Sequence, residues 1–140
     1  MKYSLLLIFA VLSLPAWACT GLQAEDAWLR EAPPGASVMA GYVTLSNHND
    51  RPLTLRRIGS KDFGSIDFHQ TTIEHGESHM EMLDSLTIPA RGAVSLAPGA
   101  MHLMLFGARR ALKAGDSVTL NLYCAAKKPM KVRFEVRATP

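Results

Sequence analysis

The middle of the chain carries four side chains whose donor atoms suit a soft metal ion: His69, then ten residues to Met80, twenty-one to His102 and one to Met104. His102 and Met104 stand two apart in the run Met101-His102-Leu103-Met104-Leu105-Phe106, which reads as a strand. Side chains at i and i+2 of a strand share a face, so that face presents an imidazole beside a thioether. Thioethers favour soft ions such as Cu(I), while imidazole suits copper and zinc. The set is therefore better matched to Cu(I) than to Zn(II), Mg(II) or Ca(II). A plainer reading stays open, because a short apolar run is also what a buried strand looks like and methionine fills cores readily. The two readings part on solvent access, which a core role denies to Met80 and Met104.

The chemistry open to such a set is holding and releasing an ion. Thioethers bind Cu(I) without competition from protons near neutral pH, and in an oxidising compartment they are not lost to disulfides as thiolates are. Electron transfer at a blue-copper site needs two His and a Cys with a weak axial Met. Here Cys124 has no His after it, the last being His102, so that class is set aside. Ser, His and Asp occur without a nucleophile elbow or comparable motif to join them. Metal hydrolases use His and carboxylates around an open zinc position, where thioethers would be out of place. The chain is not read as an enzyme.

The four-donor spacing, with Met80-Glu81-Met82, the Ile88-Pro89-Ala90 turn and Pro98-Gly99 ahead of His102-Leu103-Met104, resembles the signature of the periplasmic copper chaperones called PCuAC. The resemblance covers most of the chain after residue 24. It implies a cupredoxin-like Greek-key β-barrel that binds one Cu(I) through His69, Met80, His102 and Met104. It also implies delivery of that ion to respiratory copper sites, the acceptor being the copper subunit of cytochrome c oxidase or another copper chaperone. Two other functions remain open: periplasmic copper storage or tolerance, and an exported β-sandwich that binds a protein or solute and no metal.

Several spare donors lie nearby. Met82 shares a strand face with Met80 and is read first as core packing, second as an extra thioether. His75 and His79, with a nearby Glu, form a candidate weak Cu(II) site, since imidazole with oxygen donors suits that ion. Met39 is read as core and His48 as a solvated turn residue.

Across its 140 residues the chain is read as one domain (19–140) behind an export signal (1–18). Lys2 opens the signal, residues 5–14 form its apolar stretch, and Ala16-Trp17-Ala18 is a small-x-small cleavage site. That stretch is too short for a membrane span of about 20 residues, so the mature protein is expected in the periplasm as a monomer. Lys2 is the only charge before Cys19, which leaves +2 on the remainder. Its basic residues are scattered in pairs such as Arg56-Arg57 and Arg109-Arg110, without the clustered footprint of a nucleic-acid binder. The two cysteines, Cys19 and Cys124, are expected to pair in an oxidising compartment. The rival is lipidation of Cys19 at the cleavage site, and the two exclude each other.

The elements that must position the donors are short strands. Alternation and turn residues place them at 27–30, 38–47, 52–58, 65–72 and 79–83, with a polar loop at 74–78. Further short segments follow at 86–88, 93–96, 101–106, 117–123 and 131–137, and residues 108–114 read as a loop or single helical turn. These ten segments, counted as about seven to nine strands because the shortest are marginal in length, and the lack of a long amphipathic helix predict an all-β Greek-key sandwich or barrel.

Overall fold

A computed structural model describes residues 19–125 and 128–139. The signal segment with its cleavage site, and Lys127 of the last turn, lie outside the described residues. The described chain is all β: β1 (Leu22–Arg30), β2 (Val38–Asn47), β3 (Leu53–Leu55), β4 (Arg57–Gly59), β5 (Ser65–Glu74), β6 (Glu77–Leu83), β7 (Leu86–Ile88), β8 (Ala93–Leu96), β9 (Met101–Phe106), β10 (Ser117–Tyr123) and β11 (Met130–Arg137).

Three segments depart from expectation, each for a local reason. β1 begins at Leu22, before the expected Ala27, because its register with β2 shifts between Glu25 and Trp28, where Asp26 takes a positive φ of 48°. That bulge breaks the alternation that marks a strand. The single strand expected over 52–58 is two: β3 pairs with β7 in a small sheet, while β4 pairs with β10 in the large one. The pairing is interrupted at Arg56, between Leu55 and Ile58, which are both buried, and the chain passes there from one sheet to the other. The polar loop expected at 74–78 is a two-residue turn at His75-Gly76, with φ of 52° and 82°. Both residues left-handed is the type I′ pattern that suits a tight hairpin, and β5 and β6 run right up to it.

The large sheet follows the order β4-β10-β11-β1-β2-β9-β5-β6, with β8 beside β2. β1 and β11 pair in parallel; the other pairs are antiparallel. Insertion of the late strands β9 and β11 on either side of the early β2 and β1 gives the crossed connectivity of a cupredoxin-like β-barrel. Its core is filled from β1, β2, β9, β10 and β11 by Leu29, Leu45, Leu103, Leu105, Leu120, Leu122 and Phe134, each at most 1% exposed. Burial of side chains this size stabilises by about 1.5–3 kcal/mol apiece. Met39 joins them, as expected. Gly41 on β2 lets this layer close, because a Cβ there would lie 2.9 Å from Leu29 Cδ2 and 3.3 Å from Leu103 Cβ.

Cys19 and Cys124 form a disulfide, their Cα atoms 5.4 Å apart, tying the segment before β1 to the end of β10. A sulfur in that bond cannot also carry a diacylglycerol thioether, which decides between the two roles open for Cys19. Among the described residues no helix is long and apolar enough to cross a membrane.

Candidate metal centre

β9 settles what its Met-Leu run does. Leu103 and Leu105 point into the core at 0% exposure, so His102 and Met104 alternate onto the opposite face. The strand is half core and half site. On that face β9 lies between β2 and β5, with Met104 opposite Ala40 on one side and Asp67 on the other.

His69 on β5 stands directly opposite His102, and the two rings lie 5.9 Å apart, tilted by 35°. His102 is only 6% exposed, and its Nδ1 is 3.0 Å from the carbonyl oxygen of Ala100. A carbonyl can only accept, so Nδ1 carries the proton and the neutral ring keeps its lone pair on Nε2. This backbone anchoring of the distal nitrogen is how metal-binding imidazoles are commonly oriented. Nδ1 of His69 is buried and has no hydrogen-bond partner, an arrangement that costs free energy unless something binds there.

Met80 on β6 lies opposite Thr71 of β5. It is 63% exposed, so the core reading fails for it. Met80, His102 and Met104 line one open cavity together with Tyr42 and Arg30. The fold thus gathers three of the four predicted donors around a cavity and sets the fourth, His69, against the ring of His102. Among the described residues no three His, Cys, Asp or Glu side chains group as a metal site. The Cu(II) site expected around His75 and His79 is therefore not assembled. His75 occupies the hairpin turn, and His79 lies on the face of β6 opposite Met80.

Two further residues border the site. Met82, expected first as core packing, is 60% exposed and sits directly opposite His69; β6 is the edge of the sheet, so nothing covers it. Tyr42 is 5% exposed and forms the far wall, with the guanidinium of Arg30 5.5 Å from its ring centre. Cross-strand register would have found Met82, since it pairs 69 with 82. No sequence signal marked Tyr42.

A family model described as LpqE-like ("Putative lipoprotein LpqE-like") matches residues 22–136. A curated relative, "Putative lipoprotein Lxx21020" of Leifsonia xyli subsp. xyli, is 30% identical over 121 residues, covering 84% of this chain and 72% of that protein. The copper-bound PCuAC domain from PmoF2 superposes with a TM-score of 0.74 at 24% identity, over 88% of this chain and 97% of that one. The Cu(I) form of DR1885 from Deinococcus radiodurans, solved in solution, gives a TM-score of 0.67 at 32% identity, over 87% and 81%. With a family match across nearly all the described strands and the same fold in these domains, the chain belongs to the LpqE-like, PCuAC-type family.

Proposed function

We propose that the protein is an exported copper chaperone that takes up one Cu(I) through His69, Met80, His102 and Met104 and gives it to an acceptor protein in the periplasm. The observation that carries this reading is the pairing of a pre-oriented imidazole, His102, with an exposed thioether, Met80, across one open cavity. The unpartnered Nδ1 of His69 beside them adds to it. Copper is cargo in this reading, not a resident cofactor. Two neutral imidazoles and two thioethers give a soft set without thiolate. Such a site holds Cu(I) less tenaciously than cysteine would and yields it to thiolate-bearing acceptors. The similarity to the Cu(I) form of DR1885 at 32% identity supports the choice of ion.

The acceptor in this reading is a copper centre with cysteine ligands, of the kind found in the copper subunit of cytochrome c oxidase. The protein moves the ion without changing its redox state and catalyses no covalent step. Anaerobic titration with Cu(I), followed by side-chain NMR of His and Met, should saturate at one ion per chain and perturb the four named residues together. Mixing the loaded protein with a copper-free thiolate acceptor and separating the two should leave the copper on the acceptor. Retention of the ion against several such acceptors would replace delivery with storage. Failure to bind at all would return the chain to the class of non-metal binding modules.

A further inference from the structure

The four-donor reading leaves Met39, Met82, Met101 and Met130 unused among the described residues, and of these Met82 alone is exposed. Three large apolar side chains stand exposed among the described residues: Ile73, Met80 and Met82, at 76%, 63% and 60%. All three belong to the β5–β6 hairpin, and the register puts them on the same face as His69. Met82, not Met80, is the direct cross-strand partner of His69, so their Cβ atoms are about 4.5–5.5 Å apart. Met80 is diagonal to His69 and opens on the cavity shared with His102 and Met104. Met82 borders a neighbouring depression with Asp67 and Asp84 that contains none of those three. His69 thus lies between an inner group of donors and an outer sulfur on the sheet edge, and its buried Nδ1 is unsatisfied.

We propose that Met82 is an exit ligand: Cu(I) leaves the inner donors through a transient site made by His69 and Met82, where an incoming soft donor takes it. This rests on the four-donor reading above and adds the route by which the ion departs. The step is ligand exchange. The Met82 sulfur donates a lone pair to Cu(I) as the bonds to Met104, His102 and Met80 release, leaving the ion on His69 and Met82, and the acceptor's donors then displace those two. The copper stays Cu(I) throughout and no electron changes hands; any proton released comes from the acceptor's thiols as they become thiolate ligands.

Leucine in place of Met82 keeps the volume and the apolar surface while deleting the sulfur, so docking is preserved and ligation is not. The test loads wild type, Met82→Leu, Met80→Leu and His79→Leu with Cu(I) anaerobically and challenges each with a chromophoric Cu(I) chelator. Both the final partition and the rate of loss are recorded, with thermal unfolding to check each fold. Met82→Leu should match wild type in partition and release copper about tenfold more slowly, a barrier change of ~1.4 kcal/mol. His79→Leu, which removes a donor from the other face of the same strand, should change neither. A wild-type release rate in Met82→Leu overturns the proposal. So does a loss of affinity in Met82→Leu equal to that in Met80→Leu, because Met82 would then be a resting ligand. Wild-type partition in Met80→Leu would instead overturn the four-donor reading itself, whatever Met82 does to the rate.

Discussion

Over β1, β2 and β11 the outer face of the large sheet is closed by its own side chains, whereas over β9, β5 and β6 the same face is left open. On the closed half, Trp28 and Tyr42 pack with ring centres 4.6 Å apart. Arg30 lies 5.5 Å from the Tyr42 ring and Arg137 5.4 Å from the Trp28 ring. Arg137 also donates to Asp26 at 2.8 Å. There, cationic and aromatic side chains pack on one another, and the one buried polar atom among them without a hydrogen bond, Nε of Arg30, belongs to a guanidinium that lies against the Tyr42 ring. On the open half, a buried imidazole nitrogen has no partner and two thioethers stand in solvent. Tyr42 is the seam, packed against Trp28 on one side and lining the cavity on the other. One sheet can therefore separate holding itself together from holding a ligand, provided that damage to each half stays in that half.

The largest way to test that separation is to cut the disulfide, which lies with the closed half. Its ends are 105 residues apart in sequence, and closing a loop of that size is worth about 4–5 kcal/mol in the chain-entropy model. Cys19→Ser with Cys124→Ser should show that loss in denaturant unfolding, while copper stoichiometry stays unchanged under folding conditions. A drop in stoichiometry would mean that the halves are coupled.

Next in size is the converse. Met104→Leu should fold normally, a methionine-to-leucine exchange costing under ~1.5 kcal/mol. Its Cu(I) affinity should fall by at least the ~10–100-fold lost when even a supporting group of a metal site is removed. Competition with a Cu(I) chelator measures the one and thermal unfolding the other. Unchanged affinity would remove Met104 from the site. The smallest effect belongs to Arg137→Ala. It deletes an exposed ion pair with Asp26 and a cation–aromatic contact, together worth about 1 kcal/mol or less. Copper binding should not notice it; a change in affinity would show that the aromatic wall, through Tyr42, shapes the cavity.

Much of this was legible before any coordinates, and what was not has a physical cause. Ligand spacing and i, i+2 alternation in 101–106 were enough to put His102 and Met104 on one face, because a strand's period is a local property. Alternation could not say that Leu103 faced the core and His102 the site, since both orders fit the same letters. It could not divide 52–58 between two sheets, because pairing partners are set by distant chain. It missed the start of β1, where Asp26 sits in a bulge. Met82 was read first as core and only second as an extra thioether, because sequence does not announce which strand will be an edge. The hydrogen bond from His102 to Ala100 depends on backbone position and has no sequence signal at all.

The parallel pairing of β1 with β11 also dictates an order of events as the chain acquires its structure. β2 can zip onto β1 as soon as both exist, but the other side of β1 waits for the last strand. Leu29, completely buried, cannot be fully covered until Phe134 and Val136 arrive. Contacts so distant along the chain close slowly, and until they do the first strand is an unpaired edge able to capture another chain. If the chain emerges N-terminus first, as on a ribosome, the first strand therefore stays in that state until the last one follows it. Chains truncated before β11 never leave it, so they should be cleared or aggregate rather than persist as partly active carriers.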